Sequence, residues 1–465
     1  MSVKPPCVGL CAGMRRPVLG FIMAELYFLF VVKWGWLLPA LLLLLWLCEH
    51  QNETRSSGLW RLSLIAACIV VIVIMAARYL RILYLNVSEL PQWDFAAFWI
   101  PGQIAAQGLD FYDPQNYQLF AREARYTQSF IEQILNVGFW YPPPTIFLFL
   151  LLGYFEQQPA SLLWHIALGV SLLISIGLLW RILFRASGWV GGLWVCALVL
   201  LFQPVLDTLI VSQTNFMVFS VCLWAWQERS SPRSGFWLAV GALIKPYCAI
   251  LFIHLLVRRR MRACLSALAT FLAAALITLL RFGPGVFLSY ANVPARLPSY
   301  VNTEQMNQSL LATILRATQA AVHNIAVASL LNQPIYIALA LALTTLTLGL
   351  IYALNAEHDD LSLILTLLLA LLIYPQTLIH YGVMLLLPML FVWTKRAAYA
   401  LNFPSVAAYI TLTYLLTSNL LDRNVFAAIA LNWLVLAAIG FRLILKRKLQ
   451  VNAVNLSINS CLNGL

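Results

Sequence analysis

The stretch IYIALALALTTLTLGLIYA, residues 335–353, decides the fold, because it holds no charged residue over the length of a bilayer's hydrocarbon core. A second run, VFAAIALNWLVLAAIG at 425–440, has the same character. Across all 465 residues, 62% are apolar and only 10% are charged. A soluble protein with so little charge would expose large apolar patches. The sequence therefore predicts an all-α polytopic membrane protein and excludes a nucleic-acid binder, a secreted disulfide scaffold and a cytosolic enzyme.

The net charge of +12 comes largely from short basic clusters between apolar runs. These clusters lie at 258–262, 395–396 and 446–448. Short cytoplasmic loops collect Lys and Arg in this way, so the pattern indicates membrane orientation and not nucleic-acid binding. We expect a multi-pass protein of the inner (plasma) membrane with all three clusters in the cytoplasm.

This orientation predicts roughly 11–14 membrane segments, at about 20 apolar residues each. It places residues 86–144 and 281–333 in loops on the outer face. We divide the chain into N-terminal membrane segments (1–60), a central membrane module (61–394), and C-terminal membrane helices with a cytoplasmic tail (395–465).

Two points of the topology stay open in the sequence. Between 141 and 257 the loop charges fit five crossings. They also fit three crossings with two re-entrant segments, one after Pro142-Pro143-Pro144 and one broken at Pro246. At the N-terminus, Met14-Arg15-Arg16-Pro17 precedes a mostly apolar stretch, which supports the hypothesis that translation begins at Met14.

The first outer loop contains an amphipathic pattern. Its apolar residues recur at helical spacing, at Tyr117, Phe120, Ala124, Ile131 and Leu135. The charged residues of this segment fall on other faces. The spacing predicts an amphipathic juxtamembrane helix lying on the membrane surface.

Asp94 is the first candidate for chemistry, in the segment Trp93-Asp94-Phe95-Ala96-Ala97-Phe98-Trp99. A carboxylate among aromatic rings is partly desolvated, which raises its pKa and makes it a better base. An N-cap of the following short helix is the simpler interpretation, and the two roles are compatible because a cap also fixes the direction of the carboxylate.

Lys245 interrupts the apolar run 236–256 and is followed by Pro246. A proline break at membrane depth is tolerated only where the backbone meets protein or a polar cavity. A lysine at such a break can hold an anionic group such as a phosphate, or it can extend to the membrane interface. Arg78 and Arg81, about one helical turn apart before the first outer loop, are further candidates for phosphate binding or for interface anchoring.

His380 is the one histidine of six predicted at the outer end of a membrane-spanning helix. It can orient a carboxylate or serve as a hydrogen-bonded packing residue. Two uncharged clusters, Gln213-Thr214-Asn215 and Asn307-Gln308-Ser309, can bind sugar hydroxyls or cap helices. The acidic residues, including Asp110 and Asp113, form no evident ligand set, so we expect neither a metal ion nor a cofactor.

Taken in order, these motifs resemble glycosyltransferase family 87, whose members are type C integral-membrane enzymes. The resemblance extends from about residue 61 to 388. It rests on Trp93-Asp94-Phe95, Gly108-Leu109-Asp110-Phe111-Tyr112-Asp113-Pro114, Tyr141-Pro142-Pro143-Pro144, Ser212-Gln213-Thr214-Asn215, Lys245-Pro246, Asn307-Gln308-Ser309-Leu310, and His380 ahead of Pro388.

The resemblance implies a type C glycosyltransferase fold, in which membrane helices and juxtamembrane helices enclose an outward-facing active site. It implies a polyprenyl-phosphate sugar donor, with Asp94 as the catalytic base and His380 assisting it. We expect Lys245, Arg78 and Arg81 to hold the donor phosphate. Substrate contacts are expected from Tyr141, Gln213, Asn215, Asn307 and Gln308.

The sequence departs from the family pattern at two places. Relatives often have Ser-Trp and a paired histidine where this chain has Thr377-Leu378 and His380-Tyr381. Ser212 also replaces a frequent glycine.

The expected reaction transfers a hexose or pentose, such as mannose, to a lipid- or glycan-linked acceptor with inversion. A lipid phosphate leaves as a stabilised anion, so one base suffices, whereas a glycosidase needs two carboxylates. A polytopic secondary transporter and a lipid-linked-glycan ligase are the rival predictions. Transporters tend to contain internal repeats and polar residues near the midplane of the bilayer, and the sequence shows no such repeat.

Overall fold

The computed structural model describes residues 41–46, 57–88, 93–124, 126–128, 130–132, 139–293, 301–302, 305–318, 324–325 and 333–462. Within these ranges the chain is almost entirely helical, which confirms the predicted all-α fold. Two short segments, β1 (Val301–Asn302) and β2 (Asn324–Ile325), pair antiparallel, with Val301 opposite Ile325. Met14 and Leu135 lie outside the described residues.

The helices of the first half are α1 (Ser57–Ser88), α2 (Trp93–Ala106), α3 (Pro114–Glu123), α4 (Ile146–Leu150), α5 (Gln157–Leu179), α6 (Gly188–Leu201), α7 (Gln203–Ile210), α8 (Asn215–Gln227), α9 (Arg233–Ile244) and α10 (Phe252–Val257). Those of the second half are α11 (Met261–Phe282), α12 (Gly285–Ala291), α13 (Leu310–Ala317), α14 (Pro334–Ala353), α15 (Asp359–Ile373), α16 (Leu386–Lys395), α17 (Phe403–Thr417) and α18 (Val425–Leu462). Short 3₁₀ segments lie at Pro143–Thr145, Leu152–Tyr154, Arg185–Ser187, Pro246–Leu251, Ala356–His358, Ile379–Leu385 and Asn419–Leu421, and a π-helical turn lies at Trp180–Phe184.

Five helical stretches among the described residues are long and apolar enough to cross a membrane. They are Gly58–Ser88, Gln157–Leu201, Met261–Phe282, Pro334–Ala353 and Val425–Gln450. The second of these contains both α5 and α6, which the turn at 180–187 separates. Four shorter apolar helices accompany them, at Arg233–Ile244, Pro246–Val257, Ile379–Lys395 and Phe403–Thr417. The chain is therefore a polytopic membrane protein.

Polar side chains collect at two opposite ends of the helices. The arginine end is the cluster of Arg229, Arg258, Arg260, Asp359 and Asp360, in which Arg260 and Arg229 contact Asp359 and Asp360 at 2.7 and 2.6 Å. The site end is the cluster of Asp94, Gln213, Lys245 and Tyr381, where Lys245 contacts Gln213 at 2.9 Å. Each end is assembled from loops that are distant in the sequence.

The described chain runs between these two ends repeatedly. The passes are α1, α5, α6, α8, α9, Pro246–Val257, α11, α14, α15, Ile379–Lys395, α17 and α18. The number of passes in the described residues, twelve, is within the predicted range of 11–14 membrane segments. Seven of the twelve are too short to be assigned as membrane spans by their own length. How many cross the bilayer stays a prediction.

The segment between 141 and 257 makes five of these passes, and the first alternative, in which all five cross the bilayer, stays a prediction. The chain breaks at Pro246 as expected: α9 ends at Ile244, and Pro246–Leu251 is a 3₁₀ helix. It then returns to the arginine end, where Arg258 donates a hydrogen bond to the carbonyl of Leu354 at 2.8 Å. The segment after the triple proline stays at the site end, packed on α2.

The centre of the bundle is formed by α15 and by the Ile379–Lys395 segment. Almost every residue of both is buried. These two segments are surrounded by other helices, whereas α11 and α14 leave most of their surface exposed for lipid. This central pair carries Tyr374, Thr377 and Tyr381 to the site end.

The amphipathic helix that the spacing predicts after residue 113 is shorter than expected. It begins at Pro114 under the cap of Asp113, whose carboxylate accepts the amide hydrogen of Gln115 at 2.9 Å, and it ends at Glu123. Its apolar face, with Tyr117 and Phe120, is buried against protein. The helix therefore forms part of the roof over the site end.

Two glycines let the proline segment pack closely on α2. A Cβ on Gly102 would lie 2.4 Å from the carbonyl oxygen of Phe149, and one on Gly153 would lie 2.1 Å from that of Gly102. Side-chain atoms do not fit between backbones at these separations. The position of α2, and with it Asp94, depends on this contact.

Replacing Gly102 should show the constraint directly. Gly→Ala in a helix normally stabilises by about 1 kcal/mol. We expect Gly102→Ala instead to destabilise by roughly 1–3 kcal/mol, because the methyl group meets the backbone of Phe149. Thermal unfolding in detergent measures the change. Gly169→Ala in α5 is the matched control, since nothing lies within 4 Å of its Cβ, and equal behaviour of the two variants would contradict the close approach.

Candidate active site

Asp94 lies in the first turn of α2, where the helix dipole favours a carboxylate. Aromatic packing holds this helix: the ring of Phe98 stacks on Phe149 at 4.6 Å, and the Trp99 indole donates a hydrogen bond to the carbonyl of Phe155 at 3.1 Å. The side chain of Asp94 is half-buried and faces a cavity at the site end.

Lys245 lies at the end of α9, where the helix stops ahead of Pro246. Its side chain is 4% exposed, and its ammonium donates to the Gln213 Oε1 at 2.9 Å and to the Tyr381 hydroxyl at 3.1 Å. The same ammonium lies 4.7 Å from the ring centroid of Tyr381 and 5.7 Å from that of Tyr141. These contacts compensate a buried positive charge and aim it at the cavity.

The Gln213 side chain joins the carboxylate to the ammonium. Its oxygen accepts from Lys245, so its NH₂ group is the part that can donate to Asp94, whose pKa it lowers. One amide thereby lies between a carboxylate from α2 and an ammonium from the end of α9.

The cavity between these groups has a volume of about 130 Å³. It is lined by Asp94, Ala97, Phe98, Trp140, Tyr141, Gln213, Lys245, Pro246, Tyr374, Gln376, Leu378 and Tyr381. A mainly aromatic wall with a few convergent polar groups is typical of a ligand site. Of the residues predicted from sequence, the structure brings Asp94, Tyr141, Gln213 and Lys245 together here.

Ser212 holds a strained backbone that positions Gln213. Its φ is +60°, a left-handed conformation that costs a non-glycine residue roughly 1–2 kcal/mol. The serine hydroxyl and the Nε2 of buried His165 are hydrogen-bonded at 2.9 Å, and the Trp164 indole donates to the Ser212 carbonyl at 2.8 Å. The backbone geometry explains why a glycine suits this position, and the contact with His165 offsets the cost of serine.

His380 is buried but does not line the cavity. Its backbone carbonyl accepts hydrogen bonds from Asn215 at 3.1 Å and Thr208 at 3.3 Å. Within the described part of the chain, neither of its ring nitrogens has a hydrogen-bond partner. The imidazole lies 5.1 Å from the ring of Tyr381, so its connection to the cavity passes through that tyrosine. Asn215 likewise lies behind the cavity wall.

Asn307 and Gln308 bond to the protein backbone. The Asn307 amide donates to the carbonyl of Pro375 at 3.2 Å, and the Gln308 amide oxygen accepts from the backbone N–H of Phe426 at 3.2 Å. The backbone of this segment also pairs with the 377–379 segment, through Gln308 N–H to Thr377 at 2.6 Å. The Asn307 side chain and the Gln308 backbone therefore fasten the loop that carries Gln376 and Tyr381, and the Gln308 side chain links this segment to the start of α18.

Arg78 and Arg81 lie outside the cavity lining. Arg78 interacts electrostatically with Asp207 in α7 and with Tyr414 in α17, and Arg81 is exposed. Among the described residues, no group of three or more His, Cys, Asp or Glu side chains could hold a metal ion.

Sequence reasoning missed Tyr381, His165 and Asn86 as members of the site. Tyr381 stands at a position where the sequence departs from the expected motif, and that departure was the available signal. His165 and Asn86, whose side chains bond at 3.0 Å and reach Ser212, have no motif around them. Only the fold shows that α1 and α5 meet the Ser212 turn.

The fold and this cavity define a helical membrane protein with a half-buried carboxylate and a buried cation in one aromatic site. The profile of glycosyltransferase family 87 matches residues 139–375, about half of the chain. The chain belongs to glycosyltransferase family 87 and is a glycosyltransferase. The matched region contains Tyr141, Gln213 and Lys245, whereas Asp94 and His380 lie outside it. No curated protein and no solved structure matches the chain.

The environment of Asp94 predicts a pH dependence. Burial raises the pKa of Asp94 above that of an ordinary carboxyl group, while the hydrogen bond from Gln213 and the charge of Lys245 lower it. A base acts as the carboxylate, so glycosyl transfer through Asp94 should fall as the pH drops through this raised pKa. Gln213→Leu removes one lowering influence and should move the acidic limb of the kcat profile to higher pH.

Gln203→Leu is the control for this measurement. Gln203 also donates to a buried carboxylate, Asp207, at 2.8 Å, but outside the cavity. Its substitution should leave the acidic limb in place. An unchanged limb in Gln213→Leu, or a shift to lower pH, would contradict the proposed electrostatics.

Proposed function

We propose that this protein is an inverting glycosyltransferase that moves a hexose or pentose, such as mannose, from a polyprenyl-phosphate donor to a lipid- or glycan-linked acceptor. In this proposal the site end faces the outer side of the plasma membrane. The positive-inside pattern supports that orientation, because Arg229, Arg258 and Arg260 lie at the opposite end.

The observation that carries the proposal is the amide bridge. Gln213 contacts both the carboxylate of Asp94 and the ammonium of Lys245 at one aromatic cavity. The reaction needs a base for the acceptor hydroxyl and a cation for the departing phosphate. The amide keeps the carboxylate and the ammonium at the same cavity without direct contact between them. The acceptor hydroxyl can then lie at the carboxylate and the departing phosphate at the ammonium, with the anomeric carbon between them.

Asp94 is the proposed base. It takes the proton of the acceptor hydroxyl as that oxygen attacks the anomeric carbon from the face opposite the phosphate. The carbon–oxygen bond to the lipid phosphate then breaks with inversion. The leaving phosphate keeps the electron pair as a stabilised anion, and no acid is needed to protonate it.

Lys245 is the proposed contact for the leaving phosphate. A sugar phosphodiester carries one negative charge, which a single buried ammonium can match. Its charge is fixed in place by Gln213 and Tyr381 before the reaction, as transition-state stabilisation requires. Neither Arg78 nor Arg81 lines the cavity. Their predicted role as phosphate contacts therefore has no support from the cavity and stays a prediction.

His380 is proposed to act through its neighbour. The ring of His380 lies against Tyr381, and the Tyr381 hydroxyl accepts a hydrogen bond from Lys245. A positioning role for the lysine fits this arrangement better than direct contact with Asp94. Tyr141 and Gln213 remain proposed substrate contacts, whereas Asn215, Asn307 and Gln308 support the site from behind.

Removing the base should abolish transfer. We expect Asp94→Asn to lower kcat by about 10²–10⁴-fold, because the amide cannot accept the proton. Transfer of radiolabelled mannose from a polyprenyl-phosphate donor to extracted lipid acceptors, by the purified full chain, measures the loss. A panel of donor sugars in the same assay identifies the sugar, and turnover itself separates an enzyme from a transporter.

Asp113→Asn is the matched control for this substitution. Asp113 caps α3 in the same outer loop, and asparagine is as good a cap as aspartate. It should leave transfer near the wild-type rate. Near-normal turnover in Asp94→Asn would remove Asp94 as the base.

Neutralising Lys245 should reduce the preference of the enzyme for polyprenyl phosphate over polyprenol as an inhibitor. Polyprenyl phosphate should inhibit the wild-type enzyme more strongly than the polyprenol of the same length. In Lys245→Gln this preference should fall by roughly 10–100-fold, because a charge-assisted hydrogen bond is lost. Lys395→Gln, far from the cavity, should keep the preference, and its survival in Lys245→Gln would contradict a phosphate site at Lys245.

A further inference from the structure

A second cavity lies at the arginine end, away from the candidate active site. It has a volume of about 320 Å³ and runs between α18 and the turn that joins α16 to α17. It is lined by Ala398, Tyr399, Ala400, Leu401, Val435, Ala438, Ile439, Arg442, Leu443 and Lys446. We call this cavity the α18 groove.

The groove is apolar at one end and cationic at the other. Val435, Ala438 and Ile439 lie roughly 10 to 16 Å from Lys446 along α18, at about 1.5 Å per residue. Arg442 and Lys446 are one helical turn apart at the rim, and Arg442 also reaches the carbonyl of Tyr399 at 3.5 Å. No acidic residue is among those that line the groove in the described part of the chain.

The position of the groove along α18 matches the profile of a membrane leaflet. The candidate span Val425–Gln450 is uncharged from Val425 to Phe441, about 25 Å of helix, before Arg442 begins the basic segment. The apolar part therefore lies at acyl-chain depth and the two cations at headgroup depth. A basic pocket between membrane helices at this depth suits an anionic lipid headgroup.

We propose that the α18 groove binds one anionic phospholipid. Its phosphate contacts Arg442 and Lys446, and an acyl chain lies along Leu401, Val435 and Ile439. Charge complementarity selects this occupant: a neutral lipid would leave two cations uncompensated, and a small free anion would leave the apolar length of the groove empty. Glu357 lies beyond Lys446, in the adjoining cavity, and does not face the groove.

Native mass spectrometry of the full chain in detergent tests the proposal, with dioleoylphosphatidylglycerol and dioleoylphosphatidylcholine as probes. The wild type should bind the anionic lipid more tightly. Arg442→Gln with Lys446→Gln should weaken that binding roughly 30-fold, since each of the two basic residues near a membrane surface contributes about 1 kcal/mol. Both side chains are exposed, so the fold should be kept, as thermal unfolding checks.

Arg447→Gln with Lys448→Gln is the matched control, because it removes the same charge from the same helix outside the α18 groove. It should keep the wild-type preference for the anionic lipid, and an equal loss in both double variants would overturn the proposal in favour of diffuse attraction.

Ala438→Trp fills the groove without changing charge and should also weaken lipid binding. Unaltered binding in this variant would overturn the proposal, as would displacement of the lipid by inorganic phosphate, which would indicate an anion site alone.

Discussion

The position of one amide between a half-buried carboxylate and a buried ammonium is the constraint on which the site end depends. Moving a carboxylate or an ammonium out of water costs several kcal/mol unless each is paired and hydrogen-bonded. Gln213 meets both requirements at once, since its oxygen accepts from Lys245 and its NH₂ group faces Asp94. The strained turn at Ser212 and the close approach of Gly102 to Phe149 bring the amide and the carboxylate to this contact. The backbone strain at Ser212 and the lack of room for a side chain at Gly102 are thus both consequences of the geometry of the cavity.

At the arginine end, charged side chains that are partly removed from water are also paired, and here the pairs connect loops of the fold. Asp359 lies 2.7 Å from Arg260 and 3.3 Å from Arg258, and Asp360 lies 2.6 Å from Arg229. These pairs tie the α8–α9 loop and the α10–α11 loop to the start of the central helix α15. Because α9 and Pro246–Val257 are both short, Lys245 lies only about 18 Å from this network along the helix axis. The ion pairs at the arginine end, together with the length of these two segments, thus fix how far Lys245 lies from that end.

Several features of the site were predictable because they depend on local chemistry. Charge is rare in this chain, so Asp94 and Lys245 stand out among apolar neighbours, and the proline after Lys245 marks the helix break that the structure contains. The polar clusters were less informative. Gln213 lines the cavity, whereas the side chains of Asn307 and Gln308 form hydrogen bonds with backbone groups of the protein. An amide side chain has the same composition in either role, and only its neighbours distinguish binding from fastening.

By itself the sequence determined the all-helical membrane class, the family, and the residues whose charge is costly to bury, because hydropathy and ionisation are properties of the residues themselves. The tertiary structure alone decided which of those residues meet. It brought Tyr381 and the buried His165 to the cavity region, separated Arg78 from it, and made five passes between 141 and 257. These outcomes depend on contacts between helices more than a hundred residues apart, such as Lys245 with Tyr381, which no local pattern encodes.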